Sequence, residues 1–432
     1  MKTFDLMKDR IAVIGLGYVG LPLSLLLARR FHVIGFDTDQ EKIKMIKAGR
    51  TPISEPGVDE FLSNLDIQKN LEITHETGKL KDAKIKIITV GTPYDPVTGY
   101  IDYSQLNAAL DLLDGKIGDG QIVVLKSTVP PGTTNRIVRD KVKGFGFRVP
   151  DQVGIAFSPE RMVEGQAIRD FSSLPKIIGA SDPETSGIVS EIIGSLGGEI
   201  IQVSSPETAE MVKMVDNYSR YVFLGLTNEI ALISEKVGVD VLELLHAAKQ
   251  SYPRNAGLMI PGPGVGGSCL NKDPFILKAH LKKLDLNLQM VDAATSINRS
   301  IPAHIAELVH NFAGKRKFVI VAGVAFKGDT DDTRFTPAFE IKADLEKYGF
   351  SVVLSDPYVS GSPFEIKKDL YEASANSDIL LLLTDHSEYK NINLEELRFK
   401  MSDIPLIVDT RGLISREDAV KLGFEYRGYG RL

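Results

Sequence analysis

The chain has 432 residues, enough for two or three domains that each bury a core. Its 43% hydrophobic and 25% charged content is that of a soluble globular protein, and a net charge of −6 excludes a general basic field for nucleic acid. A single cysteine excludes an intrachain disulfide, residues 1–10 do not read as a secretory signal, and apolar runs such as Ile379 to Leu383 are too short to span a membrane; a cytoplasmic protein is expected.

The first forty residues form one unit. Ile11 to Ile14 reads as a buried strand and Gly15-Leu16-Gly17-Tyr18-Val19-Gly20 as the turn after it. A leucine-rich helix (Leu21 to Arg30) and a second strand (His32 to Phe36) ending at Asp37 complete it. Gly15 suits a tight turn, Gly17 a close backbone approach to a pyrophosphate, and Gly20 the packing of helix on strand. The helix N-terminus then faces the phosphates, and Asp37 stands where an acid takes the ribose hydroxyls of NAD. Further strand-like runs (71–74, 84–90, 121–125, 153–157, 176–179, 199–203) alternate with helices, as in a doubly wound, mostly parallel sheet. Ligands bind at the carboxyl ends of such strands. Three polar turns lie there: Gly91-Thr92-Pro93, Lys126 to Gly132 with Thr128, and Ser158-Pro159-Glu160-Arg161.

Ser204-Ser205-Pro206-Glu207 opens a long helix reaching about Lys236, with Val212, Val215, Val222, Leu226 and Ile230 as an apolar stripe and Lys213 and Asn217 four apart on one face. A spine between domains or a dimer face fits that length. Helices at 241–249, 274–284 and 287–312 make the middle helical. Between them, Pro261 to Asp273 is rich in Gly and Pro and carries the lone thiol, Cys269; Asp273 is expected as the N-cap of the helix opening at Pro274. A second α/β unit begins with a strand at 318–322, followed by a helix at 336–348 and strands at 351–354, 378–383 and 406–408. Its first turn, 323–334, lacks the dinucleotide glycine spacing but carries Lys327 and Arg334, suited to a mononucleotide's phosphates or a carboxylate. The two halves look like one binding architecture used twice. Seven scattered histidines give no ligand spacing near the cysteine, so no metal is expected.

These motifs resemble the nucleotide-sugar 6-dehydrogenases, the UDP-glucose, UDP-N-acetylhexosamine and GDP-mannose dehydrogenases, over essentially the whole length. The likeness is carried by Gly15 to Pro22, Lys126 to Pro130, Ser158 to Gly165, Glu210 to Asn217, Gly266 to Cys269 with Lys272-Asp273, and Ala325 to Lys327 with Asp332 to Arg334. The resemblance implies an NAD domain at 1–203, a helical central domain at 204–312 and a UDP-sugar domain at 313–432. It implies NAD contacts from Gly15, Gly17, Tyr18, Val19, Gly20 and Asp37, and from Thr92, Thr128 and Arg334. It implies substrate contacts from Glu160, Arg161, Lys213 and Asn217, and from Arg254 (across a homodimer interface), Gly266, Phe326 and Lys327.

The implied reaction is a four-electron oxidation of the sugar C6 alcohol to a uronate for polysaccharide biosynthesis. Cys269 forms a thiohemiacetal and then a thioester. Lys213 and Asn217 stabilise the oxyanion, Asp273 with Thr128 handles water, and Glu160 is a further acid/base group. Glu164 is a further carboxylate in the same motif. Pro261 to Gly267 and Ile53-Ser54-Glu55-Pro56-Gly57 are similar to the N-acetylhexosamine branch, which favours UDP-N-acetyl-D-mannosamine. Ser268 in place of that branch's histidine, and Met259 and Ile260 in place of its basic residues, point instead toward UDP-glucose or GDP-mannose. The rivals are a two-electron hydroxyacid dehydrogenase, which needs no cysteine, and a non-catalytic nucleotide-sugar sensor.

Overall fold

The computed structural model describes residues 4–5, 8–53 and 55–431, so Ser54 of the Ile53 to Gly57 run lies outside the described residues. The chain forms two compact units, Met1–Asp216 and Asn217–Leu432.

The first unit holds β1 (Arg10–Ile14), β2 (His32–Phe36), β3 (Leu71–Thr74), β4 (Ala83–Ile88), β5 (Tyr94–Asp95), β6 (Tyr100–Ile101), β7 (Ile122–Leu125), β8 (Gly154–Phe157), β9 (Lys176–Ala180) and β10 (Ile200–Val203). Eight of these form one sheet in the order β10-β9-β8-β7-β4-β1-β2-β3, and β5 pairs with β6 as a small hairpin. Every sheet pair is parallel except β8 with β9. The central strands are short and mostly apolar, Lys84 and Lys86 of β4 being exceptions, because helices cover both faces. Successive residues of β1 show this directly: Ile11 and Val13 join one core with the leucines of the first helix, while Ala12 and Ile14 join the other. That helix, Gly20–Leu27, is buried at every position, so it carries no polar face. Burying each leucine contributes about 2 kcal/mol.

The second unit holds β11 (Phe318–Ala322), β12 (Ser351–Ser355), β13 (Ile366–Lys367), β14 (Ile379–Leu382), β15 (Leu406–Asp409) and β16 (Glu425–Gly428). They form one fully parallel sheet in the order β13-β12-β11-β14-β15-β16. Relative to its first strand this is the order of β3-β2-β1-β4-β7-β8, so the two halves do share an architecture. Val319 and Val321 feed one core, Ile320 and Ala322 the other. The helices Val241–Ser251, Asp273–Lys282 and Gln289–Ala313 belong to this unit. The long helix runs Pro206–Val237. At Gly225 an added Cβ would stand 2.7 Å from Ala294 Cβ, so the two longest helices cross there at close range.

One expectation needs correction. Lys272, not Asp273, holds the N-cap position; Asp273 is the first helical residue and its side chain is used elsewhere. Of the apolar stripe on the long helix, Val215 and Leu226 are exposed, while Tyr221, Gly225 and Ala231 face inward. The strands β13 and β16 and the hairpin were not foreseen, because they are short, polar or both.

Candidate active site

At the end of β1, Gly15 has φ +98° and its N–H donates to Phe36 O at 2.8 Å. A Cβ on Gly20 would stand 1.7 Å from Gly15 O and 2.6 Å from Thr89 Oγ1, so the turn itself demands glycine there. A Cβ on Gly17 would meet nothing within 4 Å. Protein packing does not require that glycine, and the open space beside it leaves room for a ligand to approach the backbone. Tyr18 and Val19 are half-buried against the first core. Asp37 Oδ2 accepts from Leu16 N and from Lys42 Nζ, both at 2.8 Å, and Oδ1 accepts from Asp39 N at 2.9 Å. Burial would raise the Asp37 pKa, but Lys42 and the two amides outweigh it and hold the group below the usual carboxylate range. An ionised acid beside a bare glycine turn at a helix N-terminus fits the ribose and pyrophosphate of NAD. Lys42, which steadies that acid, was not picked out in the sequence.

The three polar turns sit at the ends of β4, β7 and β8. Thr92 is buried, and Thr128 is half-buried beside Ser127, whose Oγ donates to Val90 O at 2.6 Å. Glu160 folds back on its own turn: Oε1 accepts from Arg161 N and Met162 N at 2.8 and 2.9 Å. Lys126 Nζ lies 3.3 Å from Glu160 Oε2 and donates to Ser158 O. Arg161 reaches Pro175 O at 2.5 Å and lies 3.6 Å from Asp216. Glu55, an unforeseen anchor, accepts from Gly165 N and Ala167 N at 2.7 Å each and so holds the loop that carries Glu160 and Glu164. Lys213 is half-buried on the long helix.

In the second unit Cys269 is exposed. Its carbonyl accepts from Lys272 N and Asp273 N, which turns the loop into the helix that follows. The glycines before it let this loop lie flat on the turn after β11. A Cβ on Gly266 or Gly267 would come within 2.3 or 2.6 Å of Phe326, and Gly267 N donates to Arg334 O at 2.9 Å. Asn271 Nδ2 bridges Val265 O and Gly267 O. Asp273 is 1% exposed; Oδ2 accepts from Asn217 Nδ2 at 2.6 Å, and Oδ1 has no hydrogen-bond partner among the described residues, Lys272 Nζ being 3.9 Å away. The Arg334 guanidinium pairs with Asp332, Nε to Oδ1 at 2.9 Å. Arg254, on the turn Pro253–Gly257, donates to Tyr252 OH at 3.0 Å and is exposed.

Lys327 is half-buried in the turn after β11. Asp356, at the end of β12, holds that turn as Asp37 holds the first: Oδ2 accepts from Val324 N and Ala325 N at 2.7 and 2.9 Å. His386 Nε2 stands 2.9 Å from the same oxygen while its Nδ1 accepts from Asp329 N. Burial would raise the Asp356 pKa, but His386 and the amides keep it low. This pair was missed, since its partners lie far apart in the chain. Among the described residues no cluster of His, Cys, Asp or Glu could hold a metal, and no helix is long and apolar enough to cross a membrane.

Comparison with known proteins matches residues 9–196 to the NAD-binding domain of the UDP-glucose/GDP-mannose dehydrogenase family, 207–300 to its central domain and 320–416 to its UDP-binding domain. The UDP-N-acetyl-D-mannosamine dehydrogenase of Pyrococcus horikoshii is 33% identical over 98% of this chain and 99% of its own length. The UDP-glucose 6-dehydrogenase TuaD of Bacillus subtilis is 30% identical over 98% and 93%. Among solved structures, the UDP-D-ManNAc dehydrogenase of P. horikoshii superposes with a TM-score of 0.86 at 33% identity, covering 98% of this chain and 99% of that one. A UDP-glucose dehydrogenase from the archaeon Pyrobaculum islandicum gives 0.85 at 25% identity, covering 98% of each. With an NAD-type turn, a second nucleotide-type sheet and full-length likeness together, the chain belongs to the UDP-glucose/GDP-mannose dehydrogenase family and is an NAD-dependent UDP-sugar dehydrogenase.

Proposed function

We propose that the protein oxidises the C6 alcohol of a UDP-N-acetylhexosamine to the uronate, with UDP-N-acetyl-D-mannosamine as the favoured sugar. The observation that carries this reading is the exposed Cys269 placed one turn before a buried Asp273 whose Oδ1 is open. NAD, held by the Gly15 to Gly20 turn and Asp37, would supply the hydride acceptor for both oxidations. The Cys269 thiolate adds to C6 of the aldehyde, forming an S–C bond while the carbonyl oxygen gains negative charge. The Lys213 ammonium and the Asn217 amide stabilise that oxygen. Loss of the second hydride leaves a thioester. Asp273 Oδ1 accepts a proton from the water that attacks the thioester carbon, the S–C bond breaks, and the thiolate returns. Thr128 orders that water, Glu160 and Arg161 contact the sugar side, and Phe326 and Lys327 contact the nucleotide. Arg254 reaches a neighbouring subunit of a homodimer, and the uronate feeds polysaccharide synthesis in the cytoplasm.

Relatives named for UDP-N-acetyl-D-mannosamine support the choice of sugar. Ser268 and the relative TuaD support UDP-glucose as the second reading. NAD reduction assayed against UDP-N-acetylmannosamine, UDP-N-acetylglucosamine, UDP-glucose and GDP-mannose decides between them. The highest kcat/KM is expected for the first, and a higher value for UDP-glucose would install the second. Cys269→Ser is expected to abolish uronate formation; undiminished turnover to uronate would refute covalent catalysis.

A further inference from the structure

Glu210 lies on the long helix one turn before Lys213, and none of the chemistry above uses it. It is wholly buried, yet three donors converge on its carboxylate. Gly132 N–H reaches Oε2 at 2.5 Å, while Thr134 N–H and Thr134 Oγ1–H reach Oε1 at 2.7 and 2.6 Å. These amides open the helical stretch that follows β7, where backbone donors lack partners of their own. Within the same turn, Thr133 Oγ1 donates to Pro130 O at 2.7 Å and Val129 is fully buried, so 129–134 behaves as one piece. The other end of the segment is pinned by Ser127 to Val90 O at 2.6 Å. Thr128 therefore sits in a short span fastened at both ends, and one fastening is a carboxylate from the Lys213 helix.

A neutral cap would satisfy the same amides without placing a charge in the interior. Burial pushes the Glu210 pKa up to about 7 against the pull of its three donors, with like-charged Glu207 adding to the rise. When the carboxylate is ionised, its charge-assisted bonds are stronger and more directional than neutral ones, which suits a fixed geometry. Glu207, one turn earlier, accepts from Asn135 Nδ2 of the same stretch at 2.5 Å.

We propose that Glu210 is a positioning residue, setting where the Thr128 segment lies relative to the helix turn that bears Lys213. This rests on the roles given above to Thr128 and Lys213. Its loss should leave the Gly15 to Gly20 turn intact and reduce turnover without weakening ligand binding.

The full-length wild type, Glu210→Gln, Glu210→Ala and Glu207→Gln are assayed for kcat and for KM toward NAD and the best nucleotide sugar. Glu210→Gln puts an NH₂ group against one of the converging donors, so it is expected to lower kcat roughly tenfold with both KM values within about twofold. Glu210→Ala should fall further, and Glu207→Gln should stay within about twofold of wild type. Amide hydrogen exchange on the same samples is expected to quicken at 127–134 in Glu210→Gln and to stay unchanged in β1. A Glu210→Gln enzyme with wild-type kcat, or one whose exchange rises throughout the unit, overturns the proposal. If the wild type itself oxidises none of the sugars, the dehydrogenation reading fails instead, and exchange at 127–134 still decides whether Glu210 holds the segment.

Discussion

Lys86 points out of β4 into the first unit with no exposed surface, donating to Ala83 O and Gln121 Oε1. Burial lowers its pKa from 10.5 to about 7. The folded state thus binds fewer protons than the unfolded state between about pH 7 and 10.5, and stability from this group rises with pH across that window. Below pH 7 the full cost of a buried ammonium remains, of the order of 5 kcal/mol. Lys86→Met is therefore expected to melt higher than wild type at pH 6, with the difference shrinking toward pH 10; a difference that grows with pH would refute the assignment. Single residues were legible in the sequence where their partners are local. Asp37 is given by its distance from a glycine turn, and Cys269 by the Gly/Pro run before it. Asp356 and His386 are thirty residues apart, and Glu210 and Gly132 seventy-eight, so only the folded chain pairs them.

At the scale of elements, the long helix was placed to within a residue by its Ser-Pro-Glu start and its Gly238 stop. Whether its apolar stripe served as a spine or a dimer face was left open, because valine and leucine look alike whether they meet a core or a partner. Phe223, Leu226, Ile233 and Val237 are all exposed, at 36%, 40%, 54% and 63%. At 100° per residue they fall within about 80° of one another, a single apolar stripe. Such a stripe fits the proposed homodimer, since exposed apolar patches of this kind favour association. Replacing Phe223 and Leu226 together by Glu is expected to convert a dimer of twice the chain mass into a monomer in light scattering. A wild type that is itself monomeric at micromolar concentration would contradict this.

For the whole molecule, the alternation of short apolar strands with helices gave both doubly wound sheets, and the absence of a second glycine fingerprint separated their ligands. Strand order lay beyond that reading, since a parallel crossover fixes handedness but not which edge receives the next strand. The two sheets nonetheless share one order about their first strands, and in each an acid at the end of the second strand holds the turn after the first. A dinucleotide-type turn in one unit and a mononucleotide-type turn in the other suit a UDP-sugar oxidised by NAD. On the proposed mechanism this oxidation proceeds twice on one bound sugar through Cys269. Counting NADH formed per UDP-sugar consumed tests it most directly. Two NADH with a uronate product is the predicted result, and one NADH with a released aldehyde or ketone would contradict it.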